Sequence, residues 1–237
     1  MKTLLKLLTG MSLAATPALA GEATAISLAT AGGRASATAT ATGNARSTAI
    51  AAATRGGRAA ASSDACGRGP GLADSRSVAV ADRGLALSNS TAAALGIFGG
   101  VAVADSESIA ATVGGVAISN SDALADGVLF GHATSRSYST ALSEFGLATS
   151  DSRAVSSGYF GGRATSVSDS LASTRRGRAA SRVHVVSGAA FHARALSDGV
   201  GVSISGPLRH SHADVRAVSR AERFGHADAH STMIRVR

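Results

Sequence analysis

Small and larger side chains alternate along most of this chain, and a short motif restarts the alternation at regular intervals. Between Gly115 and Ser181 the motif reads GVAIS, GHATS, GLATS, GRATS and GRAAS, with glycines 16, 15, 16 and 15 residues apart. After the closing Ser of each motif, the second, fourth and sixth positions are small, whereas the fifth is mostly apolar. A period of two predicts β-strands with one uniformly small face, and a copied unit indicates a repeat architecture.

These features predict an all-β fold, a single parallel β-solenoid or β-roll with a thin core lined by Ala and Ser. We expect about fourteen short coils of 13–17 residues, each with two strands of ~4–5 residues separated by Gly and Ser turns. The Ala of the motif is expected to line one wall. The other wall takes either the small face or the apolar face, so that one ladder remains outside and favours self-association.

The N-terminal segment up to Ala20 is typical of a secretory signal peptide. A basic start with Lys2 and Lys6 precedes a short apolar run, and the run ends at Pro17-Ala18-Leu19-Ala20. No stretch reaches the ~20 apolar residues of a transmembrane helix. We therefore expect a secreted or cell-surface protein with a signal peptide at 1–20, a solenoid domain at 21–231 and a tail or edge strand at 232–237.

Composition narrows the class further. Aromatic residues make up 3% of the chain and Trp is absent, so a conventional core of large side chains is excluded. Strict periodicity argues against disorder, which has no reason to keep a register. Cys66 is the one cysteine, which excludes an internal disulfide, and its place in the repeat predicts a buried thiol. The Phe residues precede the Gly turns and are expected to stack at a corner.

The formal net charge of +8 suggests an anionic partner, with a solvated basic surface as the alternative. Arg residues become frequent after residue 135. Arg163 and Arg178 follow the Gly of the motif, and Arg194 and Arg209 lie at two weaker copies of it. These four residues are expected to form a basic file for anionic polysaccharide or a cell surface, without specific nucleic-acid binding.

Histidines supply the one candidate metal site. Two alternating segments, HSHAD and HADAH, begin 16 residues apart at His210 and His226. A stagger of one coil would bring their side chains together, and imidazole with carboxylate can hold Zn²⁺ or a similar divalent ion. The alternative is a solvated polar ladder. The candidate ligands are His210, His212, His226, Asp228 and His230.

No catalytic constellation is evident, and we do not expect an enzyme or a resident cofactor. Carboxylates are dispersed, whereas glycoside hydrolysis needs a pair held ~5–9 Å apart. The recurrent Gly residues are turn residues and not a phosphate-binding loop. Ice binding is an alternative class, because Thr134, Thr149 and Thr165 would form a short outward file on a regular coil.

The repeat resembles the head repeats of trimeric autotransporter adhesins. Residues 77–87, Ser-Val-Ala-Val-Ala followed by Gly-Leu-Ala-Leu, carry the resemblance best, and residues 108–118 carry it next. The resemblance implies a left-handed parallel β-roll, association of three chains through apolar strands, and adhesion to surfaces; no heptad stalk or membrane-anchor strands accompany the repeats. Together the sequence predicts an exported structural or adhesive protein that forms homo-oligomers or fibres, with ice or acidic-polysaccharide binding as the alternative.

Overall fold

The structure is a computed structural model that describes residues 13–14, 21–30, 32–68, 72–97, 101–128, 132–159, 163–190, 194–205, 211–222 and 226–236. Almost all of these residues lie in β-strands, and the others lie in turns and bends between strands. The strands are β1 (Leu13–Ala14), β2 (Gly21–Ala29), β3 (Arg34–Thr42), β4 (Ala45–Ala53), β5 (Arg58–Arg68), β6 (Leu72–Ala81), β7 (Leu85–Ile97), β8 (Val101–Val128), β9 (His132–Tyr159), β10 (Arg163–Ala190), β11 (Arg194–Ser205), β12 (Ser211–Glu222) and β13 (His226–Val236). No helix that could cross a membrane occurs among these residues.

All pairings between the strands are parallel, and they form the two walls of a solenoid. Wall 1 stacks β2, β4, β6, the first half of β8, the first halves of β9 and β10, and then β11 and β13. Wall 2 stacks β1, β3, β5, β7, the second halves of β8, β9 and β10, and β12. Each of the long strands β8, β9 and β10 therefore bends from one wall into the other, and the predicted parallel β-solenoid is confirmed.

The length of one turn differs from the expectation. Ala164 pairs with both Ala133 and Ala195, so equivalent residues of neighbouring turns lie 31 positions apart in this region. The expected fourteen short coils are not confirmed, because one copy of the repeat unit forms a single strand and spans only half a turn. The physical reason is that the small face continues without a break through the Ser of the motif, where a turn was expected.

Ala and Ser fill the space between the walls. In β8 the side chains of Ala117, Ser119, Ser121, Ala123 and Ala125 are all buried, and the residues between them point outward. The small face thus occupies both walls, and the apolar positions between its members lie on the outer surface. Because both faces contribute mainly Ala and Ser side chains, with Val183 and Val185 as larger exceptions, the walls approach closely enough for direct hydrogen bonds.

Serine hydroxyls link the two walls across the core. Ser106 Oγ donates to the Ser90 carbonyl at 2.8 Å, Ser121 Oγ to the Ser106 carbonyl at 2.7 Å, and Ser137 Oγ to the Ser121 carbonyl at 2.6 Å. These residues alternate between wall 2 and wall 1, so the bonds form a zigzag that runs along the solenoid axis. A second zigzag includes Ser150 and Ser170. Each of these hydroxyls is satisfied internally, which removes the cost of burying it.

Motif glycines stack at the corner where wall 1 turns into wall 2. A Cβ added to Gly115 would lie 2.0 Å from the Gly84 carbonyl oxygen, and one added to Gly146 would lie 1.9 Å from that of Gly115. Both glycines also have positive φ angles, 141° and 135°. Gly177 continues the column on the next turn. Gly131 and Gly162, the alternate members of the motif series, belong to segments outside the described residues.

Several sequence expectations are modified by the half-turn geometry. Cys66 is half-buried and points outward from wall 2, not into the core. Phe145 is 43% exposed and pairs with Gly114 and Arg176 instead of another Phe; the other five Phe residues lie outside the described residues. At the chain ends, the two-residue β1 falls within the predicted signal peptide, and β13 continues through residues 232–236.

Candidate functional site

The outer face of wall 1 carries two adjacent columns of mainly apolar side chains, which we call the apolar columns. They arise because the outward positions near the end of each strand are aliphatic on turn after turn. The inner column is Ile26, Ile50, Val78, Ile109, Thr140, Leu171, Val202 and Ile234, and the outer column is Leu28, Ala52, Val80, Ala111, Leu142, Ser173 and Ile204. Every member is exposed or half-buried, and Leu28 is 74% exposed. A contiguous patch of this kind is typical of an interaction surface.

Two columns of mixed charge lie beside the apolar columns, toward the start of each strand; we call them charged columns 1 and 2. Column 1 is Glu22, Arg46, Asp74, Asp105, Arg136, Val167, Asp198 and His230. Column 2 is Thr24, Thr48, Arg76, Glu107, Tyr138, Asp169, Val200 and Thr232. Both columns face outward, so this part of the outer face of wall 1 combines an apolar half with a charged half.

Ion pairs join neighbouring strands within the charged columns. Arg46 contacts Asp74 at 3.1 Å, Arg76 contacts Glu107 at 3.3 Å, and Arg136 contacts Asp105 at 3.9 Å. The side chains in these pairs remain substantially exposed, so each pair contributes little to stability. Their importance for a binding surface is that they fix the positions of the charges.

Two carboxyl groups of the charged columns are poorly compensated. Burial raises the pKa of Asp105 above its usual range, against the opposing effect of Arg136. Asp105 Oδ1 is also buried without a hydrogen-bond partner among the described residues. Burial and the neighbouring Asp198 raise the pKa of Asp169. Both carboxylates would therefore be stabilised by an additional cation.

The predicted basic file is only partly assembled. Arg163 and Arg194 are direct neighbours on wall 1, whereas Arg178 lies on wall 2 beside Leu147, and Arg209 lies outside the described residues. Two histidines that were not assigned to the file extend it, because His132 pairs with Arg163 and His226 pairs with Arg194. The regular spacing of these four residues along the sequence was the signal that could have found them.

This basic column of His132, Arg163, Arg194 and His226 runs beside a shallow groove of about 400 Å³, which the last three of them line. All four side chains are exposed. Neither Arg163 nor Arg194 forms an ion pair with any residue in the described ranges, and His226 Nδ1 lies 3.4 Å from Asp228 Oδ2. Unpaired guanidinium groups on adjacent strands, ~4.8 Å apart, are able to contact successive charges of an extended anionic chain.

The structure brings only part of the predicted metal-ligand set together, the neighbouring His226 and Asp228. His226, Asp228 and His230 lie on the outer face of β13 in wall 1, whereas His212 lies on β12 in wall 2. His210 is outside the described residues. Across the parts of the chain that are described, no three His, Cys, Asp or Glu side chains are grouped closely enough to hold a metal ion. The half-turn length of the repeat separates the two His-rich segments.

The expected threonine file is also divided. Thr134 and Thr165 are neighbours on wall 1, but Thr149 lies on wall 2 between Ile118 and Ala180. A further groove of about 550 Å³ crosses the outer face of wall 2 and is lined by opposite charges that include Asp151 and Arg182, which are 3.6 Å apart.

The fold defines the chain as a parallel β-solenoid protein whose wall 1 presents an apolar and charged outer face. No family model, no curated protein and no solved structure matches it.

Proposed function

We propose that the protein is an exported structural or adhesive surface component that associates through the outer face of wall 1. The observation that carries this proposal is the pair of apolar columns. The inner column follows wall 1 from β2 to β13, and the outer column follows it from β2 to β11. A monomer gains nothing from exposing aliphatic side chains in register on eight strands, whereas an interface buries them at ~25 cal/mol per Å². The resemblance of the repeat to adhesin head repeats favours the same class of function.

Ile109→Arg tests this surface at its centre. Ile109 is half-buried in the inner apolar column, and a charge there would be desolvated without a partner on association. We expect the substitution to weaken self-association, measured by sedimentation or light scattering, by about 100-fold. Binding to an apolar bead should fall in parallel.

Val186→Arg is the matched control, because Val186 is a half-buried outward residue of wall 2. It should associate like the unmodified protein. A protein that remains monomeric at its solubility limit, or an equal loss in both variants, would contradict the proposed function.

A second function, binding of acidic polysaccharide, is favoured by one observation: Arg163 and Arg194 are adjacent in the basic column and form no ion pair with another described residue. The double variant Arg163→Gln/Arg194→Gln should elute from an immobilised acidic polysaccharide at lower salt than the unmodified protein, because exposed charge contacts are screened. Arg182→Gln is the control, since Arg182 already contacts Asp151 on wall 2. Identical elution of all three proteins would refute this function.

A further inference from the structure

The charges of wall 1 are complementary to the same charges read in reverse strand order. In column 1, Arg46 lies on the second strand of the wall and Asp198 on the second strand from the other end. In column 2, Arg76 lies on the third strand and Asp169 on the third from the other end. Two copies that face each other with opposite strand order would therefore place each Arg opposite a carboxylate.

The charges at the centre of the wall are complementary in the same way. Asp105 and Arg136 are the fourth and fifth members of column 1, so reversal places each opposite the other residue type in the second copy. In column 2, the Glu107 carboxylate would face the Tyr138 hydroxyl, which can donate a hydrogen bond. At the ends of column 1, Glu22 would face His230. No like charges in the two columns oppose each other in this arrangement.

We propose that two copies of the chain pack wall 1 against wall 1 about a two-fold axis that runs parallel to the strands, between β8 and β9. The proposal rests on the proposed function, since it specifies how the same surface associates. The columns determine the direction of this axis. A two-fold axis parallel to the strands places each column of one copy opposite the same column of the other copy, so that apolar side chains meet apolar side chains. A two-fold axis parallel to the solenoid axis would instead place the charged columns of one copy against the apolar columns of the other, which leaves charges desolvated and unpaired.

Charge also selects the position of the axis. A shift by one strand in one direction places Glu22 opposite Asp198 of the second copy. A shift in the other direction places Asp74 opposite Asp198, and Glu107 opposite Asp169. These pairs of like charges across the interface disfavour both shifted positions of the axis. With the axis between β8 and β9, the second copy supplies Arg136 near Asp105 and Arg76 near Asp169. Asp105 and Asp169 are the two carboxylates of the charged columns that lack full compensation within one chain.

The contact area is sufficient for a specific dimer. Eight strands at ~4.8 Å and four columns at ~6.7 Å cover about 34 Å by 20 Å, or ~700 Å² on each copy. The total of ~1,400 Å² lies within the range of stable, specific interfaces. Such an interface has the usual composition of an apolar part and a hydrated, charged part.

Charge reversal in trans tests the arrangement. In a dimer of Arg46→Glu alone, the new carboxylate of each copy faces Asp198 of the other copy. In a dimer of Asp198→Arg alone, the new guanidinium of each copy faces Arg46 of the other copy. We expect each variant to dimerise at least about tenfold more weakly than the unmodified protein. An equimolar mixture of the two should regain the unmodified affinity, because both oppositions become attractive in the mixed dimer. Within one chain the two sites are five strands, ~24 Å, apart, beyond the screening length, so recovery requires contact between chains.

A mismatched mixture provides the specificity control. In the mixed dimer of Arg46→Glu and Asp105→Arg, one pair of like charges remains between positions 46 and 198 and another between positions 105 and 136. This mixture should therefore not regain affinity. Circular dichroism of each variant checks that the solenoid is folded. Recovery in the matched mixture alone supports the two-fold arrangement. Equal behaviour of the two mixtures, or undiminished dimerisation of the single variants, overturns it.

Thiol crosslinking gives an independent measurement in a Cys66→Ser background. Val78 would face Leu171 of the second copy across two packed sheets, ~10 Å apart, a separation that a short bifunctional maleimide spans but a disulfide does not. Val78→Cys mixed with Leu171→Cys should form a covalent dimer with this reagent. Neither variant alone should do so, because its two thiols would also be displaced by three strands, ~14 Å, along the wall. If Ile109→Arg abolishes association but neither the matched mixture nor this pair behaves as expected, the proposed function stands and the two-fold arrangement is wrong. If the unmodified protein does not associate, both fail.

Discussion

Gly146→Ala tests the close approach of successive turns at the corner between the walls. The added Cβ would lie 1.9 Å from the Gly115 carbonyl oxygen and 2.9 Å from its carbonyl carbon. A methyl group needs more than ~3 Å from oxygen, so the two turns must separate locally by about 1 Å or more. The clashing atoms belong to the backbone, and no side-chain rotation can relieve the contact.

The magnitude follows from two contributions. The φ angle of 135° at Gly146 is unfavourable for a residue with a side chain, at a cost of about 1–3 kcal/mol. On the preceding turn, the Val116 amide donates to the Gly84 carbonyl at 3.0 Å. Separation of the equivalent bond at Gly115 costs about 1 kcal/mol for each hydrogen bond lost. We therefore expect a loss of about 3 kcal/mol in the free energy of unfolding, or a fall in Tm on the order of 10 °C.

Gly188→Ala is the matched control, because a Cβ at Gly188 has no heavy atom within 4 Å. Thermal unfolding of both variants, followed by circular dichroism at one protein concentration, gives the comparison. Gly188→Ala should remain within about 0.5 kcal/mol of the unmodified protein. If the two variants unfold together, the stacked-glycine corner does not exist in the form described.

Two further substitutions probe the core and the surface of wall 2. Ser121→Ala removes the donor to the Ser106 carbonyl and should lower the free energy of unfolding by about 1 kcal/mol, whereas the outward Asn120→Ala should change it little; equal effects in denaturant titrations would argue against the serine zigzag. Burial raises the pKa of Asp122 above its usual value of 3.8. Above pH 3.8 the folded state therefore binds more protons than the unfolded state, and the free energy of unfolding falls as the pH rises from 3.8 through the higher pKa of the folded state. Asp122→Asn should therefore be more stable than the unmodified protein at neutral pH, with the difference shrinking toward pH 3.8; a constant difference across that range would contradict this assignment.

The repeat unit and the all-β class could be predicted from the sequence because both depend on local alternation. The same alternation also indicated how far each strand extends. The small positions Ala117, Ser119, Ser121 and Ala123 are all odd-numbered, and a turn at Ser119 would have interrupted that phase. Periodicity in one chain does not state whether a unit closes a full turn or half of one, since either choice stacks like residues on like residues.

The arrangement of the surface could not be predicted without the length of the turn. If one repeat unit closed a full turn, His212 and Asp228 would be neighbours; because it closes only half a turn, they lie on opposite walls. One signal for the longer turn was present. Five Phe residues recur at intervals close to 31, at positions 98, 130, 160, 191 and 224, whereas Phe145 is alone in the intervening half-turns.

A core of serine hydroxyls also determines how the stability of this protein depends on temperature. Exposure of apolar surface raises the heat capacity on unfolding, and exposure of polar surface lowers it. Buried Ser residues such as Ser106, Ser121 and Ser137 replace apolar area with polar area throughout the solenoid. The heat-capacity increment should therefore lie below the usual ~12–15 cal/mol/K per residue. The stability curve becomes broad and shallow, so that cooling and warming alter the free energy of unfolding less than in a protein with an aliphatic core.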